Sequence, residues 1–207
     1  MIAVIVSYAF VGIILGVATW CEKARVLSDE QARKLIHVGV AHWFILAMWL
    51  FESVMLATLV PASFIVINYM SYKMHLLSAM ERDKKGIENL GTVYYAISLT
   101  IITYLSLRYH VQTIGMFAIL SMGYGDGLGA IVGERYGKRK LYKNKSRIGT
   151  MTMFVLTFLI GAILFQEGLL IVTFIALSAA GVELFTPRGF DNLSVPLFIF
   201  FTAVLLL

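Results

Sequence analysis

The chain is poor in cysteine and in charge. Its one cysteine, Cys21, excludes an internal disulfide and any cysteine-built metal cluster. It reads most simply as a passive residue at a helix end. Charged residues make up 14% of the chain, against about 25% in ordinary soluble domains. The sequence also lacks H-E-x-x-H, a GxxxxGK[ST] loop and a GxSxG elbow, so serine-hydrolase and P-loop NTPase readings have no support. No internal repeat and no linker marks a second domain, and residues 1–207 read as one transmembrane domain.

What fills the chain is apolar. Hydrophobic residues account for 59%, and mean hydropathy is +0.84. Apolar runs recur along the whole length, which points to a polytopic all-α membrane bundle. Eight spans are expected, near residues 2–20, 33–51, 53–72, 92–108, 112–133, 150–166, 168–186 and 192–207, each close to the ~20 residues a bilayer requires. The first has no basic leader and no convincing cleavage site, so it reads as a retained span.

Sixteen of the seventeen Lys and Arg residues fall in the odd-numbered connections; Arg108 alone falls elsewhere. The basic loops cover about 21–34, 73–91 and 134–149. The positive-inside rule assigns that face to the cytoplasm and both termini to the outside. Ser28-Asp29-Glu30-Gln31 has the form of a capping box, which predicts that the second helix starts near Asp29. Residues 74–85 place Met74, Leu77 and Met80 on one side, as in a helix lying in the interface.

With this orientation, the polar residues inside spans share a depth. Asp126 lies about seven residues from the inner end of span 5, or ~10 Å. Glu183, His37, Asn68, Tyr94, Tyr95, Asp191, Asn192, Lys145 and Ser146 all fall toward the same edge. An intramembrane carboxylate is expensive and is a functional candidate by default. Lys145-Ser146 at a helix start suits a phosphate, through an ammonium, a hydroxyl and free N–H groups. Lys138, Arg139 and Lys140 are equally suited to anionic lipid. Gly125, Gly129, Gly133 and Gly137, four apart, form a smooth face for a neighbouring backbone or a ligand. Arg33 and His37 are i, i+4 with Lys34 beside them. His42 reads as structural, and His75 and His110 as interfacial.

In order along the chain stand Ala32-Arg33-Lys34-x-x-His37, Gly91-Thr92-x-Tyr94-Tyr95, Gly125-Asp126-Gly127 with Gly133 and Gly137-Lys138, Lys145-Ser146-x-x-Gly149-Thr150, and Glu183 followed by Asp191-Asn192-Leu193-x-x-Pro196. This set resembles the membrane-bound CTP-dependent lipid kinases, which include phytol kinase, dolichol kinase and the fungal CTP-dependent diacylglycerol kinase. It is more loosely similar to phosphatidate cytidylyltransferase. One departure is Ile148, where the family usually carries a glutamate; Gly129 also replaces a common alanine.

The resemblance implies transfer of a phosphoryl group from CTP, with Mg²⁺, to a membrane-embedded isoprenoid alcohol of the phytol, farnesol or polyprenol type. It implies metal ligation by Asp126 first, with Asp191 or Glu183 second. It gives Lys145, Ser146 and Lys138 to the phosphates, with Gly127 and Gly149 beside them. Asn192 is left to the nucleotide or to orienting an acid. Arg33 and His37 either steady the γ-phosphate or take the hydroxyl proton. The expected partners are the lipid alcohol, CTP and the bilayer, with a homo-oligomer allowed and no nucleic acid. The site is expected to face the cytosol from the cytoplasmic membrane or an endomembrane. Two alternatives stay open: a cytidylyltransferase acting on the α-phosphate of CTP, and a non-catalytic membrane protein or transporter.

Overall fold

The computed structural model describes residues 1–74, 90–143 and 145–207. Among them are eight helices: α1 (Ile2–Lys23), α2 (Asp29–Leu50), α3 (Val54–Met74), α4 (Gly91–Arg108), α5 (Gln112–Tyr136), α6 (Arg147–Leu164), α7 (Leu169–Phe185) and α8 (Asp191–Leu206). Each corresponds to one span read from the sequence. Helices α1, α3, α5 and α6 are individually long and apolar enough to cross a membrane, and α7 and α8 are apolar but shorter. The chain is an all-helical membrane protein. Apart from Met74, the helix expected over 74–85 lies outside the described residues, as do His75, Arg82, Lys84 and Lys85.

Helix α2 begins as its sequence dictates. The Ser28 side chain accepts the Gln31 N–H, and the Gln31 side chain accepts the Ser28 N–H, so two end donors are satisfied reciprocally. This fixes the register of the turn that carries Glu30, Arg33 and Lys34.

The basic connection after α5 is not wholly irregular. It contains a two-stranded antiparallel ribbon, β1 (Lys140–Tyr142) and β2 (Lys145–Ser146), with Lys140 opposite Ser146 and Tyr142 opposite Lys145. The Tyr142 ring meets Phe185 edge-on at 5.3 Å, which pins the ribbon to the end of α7.

Helix α5 is the centre of the bundle. It is buried over most of its length, whereas α1 and α6 bury only a small part of theirs. It packs on α2, α6 and α8. Trp43, Phe44, Phe117, Ile119, Met122, Ile175 and Ile199 belong to the continuous core around it. The glycine stripe is a helix-packing face. A Cβ at Gly129 would stand 3.1 Å from the Gly149 carbonyl oxygen, and one at Gly133 2.8 Å from Ser146 Oγ. Backbone therefore meets backbone along the α5–α6 seam.

Helix α8 is tied to α4 through a proline. Pro196 has no N–H to give the Asn192 carbonyl four residues back. The Ser98 hydroxyl on α4 lies 2.9 Å from that carbonyl oxygen and 2.9 Å from the Tyr95 carbonyl oxygen, so its one proton is shared between the two. The Asn192 side-chain amide donates to the Gly91 carbonyl at 2.8 Å, at the start of α4. Both contacts hold the first turn of α8, and with it Asp191, in place.

Candidate functional site

The N-terminal turns of α2, α6 and α8 converge with the C-terminal parts of α5 and α7 around a cavity of about 370 Å³. Helix N-termini carry the positive end of the dipole, so three of them on one cavity favour an anion, although one N–H in each first turn is already taken by Ser28, Ser146 or Asp191. The size lies within the ordinary range of small-ligand pockets, about 300–1,000 Å³.

Two ion-paired groups dominate the wall. On one side the Lys34 ammonium bonds Asp126 Oδ2, with both side chains buried. On the other, Lys145 Nζ lies 2.6 Å from Glu183 Oε1 and 3.3 Å from Asp191 Oδ2, and it also donates to the Glu183 carbonyl oxygen. Three donors meet three acceptors, and β2, α7 and α8 are joined at one nitrogen. Asp191 is held by its other oxygen. Its Oδ1 accepts the N–H groups of Gly189 at 2.9 Å and Asn192 at 3.1 Å. Gly189 has φ 92°, a conformation glycine adopts without penalty, and this is what brings its N–H round to Asp191.

The charge on the cavity wall is nearly balanced. Glu30, Asp126, Glu134, Glu183 and Asp191 stand against Lys34, Lys140, Lys145 and Arg188. A bare polyphosphate entering such a site meets as much repulsion as attraction, so the donor set suits an anion that arrives with a cation. Among the described residues, no three His, Cys, Asp or Glu side chains come together as a metal cage. Asp126, Glu183 and Asp191 are buried or half-buried carboxylates that a hard cation could reach; such ions usually take one or two carboxylates and complete their shell with phosphates and water.

Six of the residues expected at the site from the sequence line this cavity: Asp126, Lys145, Ser146, Gly149, Glu183 and Asp191. The others lie elsewhere. Arg33 is buried beside the cavity and pairs with Glu30 one turn back. Lys138 is exposed on the loop after α5. Gly127 faces α2, where a Cβ would stand 2.9 Å from the Val38 side chain. Asn192 points away from the cavity lining toward Gly91. His37 opens onto a second, apolar cavity on the other side of α2. Ser146 lines the cavity, but its hydroxyl is already committed. It accepts the Gly149 N–H at 3.1 Å as the cap of α6 and lies 3.3 Å from the Gly133 carbonyl oxygen. Ile148 is exposed on the outer face of α6 with Met151 and Val155, so its side chain adds nothing to the cavity wall.

The sequence reading missed Lys34, Arg188 and Thr150 as wall residues. Lys34 was visible as the residue four after Glu30 and three before His37, which shares one helix face with each. Arg188 was visible as the one basic residue in the α7–α8 turn, three before Asp191. Thr150 had no signal beyond following Gly149. Its Oγ1 is buried and has no hydrogen-bond partner among the described residues. His42, read as structural, bridges α2 and α5: its Nδ1 donates to the Val38 carbonyl, and Tyr124 OH lies 3.1 Å from its Nε2.

A charged cavity set among membrane helices defines a class: polytopic membrane proteins with a polar site at their helix ends. The comparisons make it specific. The chain is 28% identical over 206 residues to a phytol kinase of Synechocystis, covering 95% of this chain and 88% of that one. It is 31% identical over 210 residues to the Triticum aestivum "Probable phytol kinase, chloroplastic", covering 88% of this chain and 69% of that one. It is 29% identical over 202 residues to phytol kinase 1, chloroplastic, of Arabidopsis thaliana, covering 84% and 66%. No family model and no solved structure matches the chain. The chain belongs to the phytol kinase family.

Proposed function

We propose that the protein transfers the γ-phosphoryl group of CTP to the hydroxyl of a membrane-embedded isoprenoid alcohol, phytol being the first candidate. The observation that carries this is the single cavity on which the Lys34–Asp126 pair and the Lys145–Glu183–Asp191 group both open. The names of the relatives supply phytol as acceptor, and the sequence resemblance supplies CTP as donor. The expected orientation turns the cavity to the cytosol, where the nucleotide is.

Phosphoryl transfer asks a protein mainly for in-line positioning and charge neutralisation. The triphosphate enters among the helix N-termini, where Lys34 and Lys145 exchange one carboxylate contact each for phosphate oxygens. The Thr150 hydroxyl donates to a phosphate oxygen. Asp126 and Asp191, with Glu183 in support, are the residues that would hold Mg²⁺, and the ion would supply charge neutralisation for the phosphates. Arg188 and Lys140 enclose the open side and exclude bulk water.

The test is purified protein with labelled CTP, Mg²⁺ and a panel of phytol, farnesol, dolichol and diacylglycerol, reading both lipid and nucleotide products. A lipid monophosphate with CDP is expected. Pyrophosphate with a cytidylylated lipid would replace the kinase reading by the cytidylyltransferase one. No product from any acceptor, with no nucleotide binding, would remove both.

A further inference from the structure

A second cavity, of about 50 Å³, lies among α1, α2, α3 and α4. Val11, Leu15, Val40, Trp43, Phe64 and Leu99 give it apolar walls. Two polar side chains break the lining on the α2 and α3 sides. His37 Nδ1 lies 3.0 Å from the Arg33 carbonyl oxygen, which can only accept, so Nδ1 carries the proton and Nε2 is a bare acceptor. Asn68 gives its amide N–H to the Thr92 carbonyl at 3.0 Å, which leaves Oδ1 as a second acceptor. Both atoms are buried, and neither has a hydrogen-bond partner among the described residues. The ring is further fixed by stacking on Tyr95, with centroids 4.8 Å apart and planes 9° from parallel.

Buried acceptors without donors are costly and rare in finished structures. An apolar slot with two of them calls for a ligand that is hydrocarbon over its length and carries an O–H donor at its end. His37 is also placed to connect the two cavities. At about 100° per residue it lies ~60° round α2 from Lys34, on the polar side, and ~60° from Val40, on the apolar side. Across α2 from it runs α5, close enough that a Cβ at Gly123 would stand 3.3 Å from the His37 carbonyl oxygen.

We propose that this slot seats the hydroxyl end of the acceptor alcohol, with its O–H donating to His37 Nε2. The proposal rests on the kinase reading above for the identity of the lipid. In the transfer, the alcohol oxygen bonds to the γ-phosphorus and the proton passes to His37 Nε2. The bond from that phosphorus to the β–γ bridging oxygen breaks, and its electron pair leaves with the nucleoside diphosphate. A cavity this small takes only the first few carbons, so the rest of the tail lies in the bilayer. Selectivity therefore resides in the branching next to the hydroxyl rather than in chain length.

The experiment is photolabelling of the full protein in bilayers, without nucleotide, by an isoprenoid alcohol bearing a diazirine close to its hydroxyl. Adducts are expected on Leu15, Val40, Phe64 or Leu99, competed equally by unlabelled C15 and C20 prenols and lost at least tenfold in Leu99→Trp. Adducts confined to outward residues such as Ile13, Leu59 and Val66, or not competed, would overturn the slot; this holds for the wild type even if Leu99→Trp does not fold. His37→Gln keeps an acceptor but no base. It should retain labelling and lose about a hundredfold in turnover, the lower end of what a general base supplies, together with the acidic limb of the pH profile, where protonation silences a base. Retained turnover would overturn the proton transfer. Slot labelling by a protein that phosphorylates no alcohol would keep the slot and remove the kinase reading. Phosphorylation without slot labelling would do the reverse.

Discussion

Lys34 and Asp126, ninety-two positions apart in the chain, meet as a buried ion pair where α2 crosses α5. Each is the other's counter-charge. Removing one partner of a buried pair typically costs 3–5 kcal/mol, because the survivor is stranded. Asp126→Asn should therefore lose both stability and turnover. Adding Lys34→Met to it should restore most of the stability, read as thermal unfolding in detergent, while turnover stays down by about 10³ or more. Recovery of activity in the double variant would take Asp126 out of the chemistry.

Lys145 lies within bonding distance of both Glu183 and Asp191. Lys145→Met leaves two carboxylates side by side without it. The expected outcome is a drop in thermal stability and at least a tenfold loss of nucleotide affinity, measured by equilibrium binding. A variant that binds nucleotide normally would reduce Lys145 to a structural strut.

Asp126, Glu183 and Asp191 already have ammonium partners, so Mg²⁺ alone has little to gain there. Mg²⁺ added alone should barely move the unfolding temperature, and CTP alone should move it little. Together, at a hundred times the dissociation constant, they should add about 2.7 kcal/mol. A large shift with Mg²⁺ alone would mean that the protein holds the ion without the nucleotide.

The α5–α6 seam makes a prediction that needs no ligand. Gly133→Val forces side-chain atoms against Ser146 Oγ and the Gly149 backbone, and overpacking of this kind costs about 1–3 kcal/mol. Gly181 on α7 has nothing within 4 Å of an added Cβ. Gly181→Ala should stabilise by about 0.5–1 kcal/mol, the usual glycine-to-alanine gain in a helix. Thermal unfolding of the two variants compares them directly.

Much of this architecture was legible from residue order. Hydropathy located all eight helices because a span must be apolar over most of its length, and Ser28 with Gln31 marked the start of α2 because a capping box is local. The ribbon at 140–146 was not legible. Its strands are too short to show alternation, and every residue of β1 is exposed. The polar residues could be assigned a depth but not partners. Nothing near Asp126 in the chain names Lys34, and nothing near Ser146 says that its hydroxyl closes the cap of α6. Asn192 looked like a ligand for nucleotide because it follows an acid; the proline four residues on, which frees its carbonyl for Ser98, was the overlooked clue. Such pairings arise from how helices are laid side by side, and a linear pattern carries that only indirectly.

Where Gly129 and Gly133 meet Gly149, the backbone of α5 lies directly against the backbone of α6. The two helices behave as one plank bearing Asp126 at one place and Thr150 at another, and their separation is set by atoms that do not rotate. The Asp191 side of the cavity is joined differently: β2, α7 and α8 meet at the end of the long Lys145 side chain, so rotation of that one stem loosens the Asp191 side without disturbing the seam.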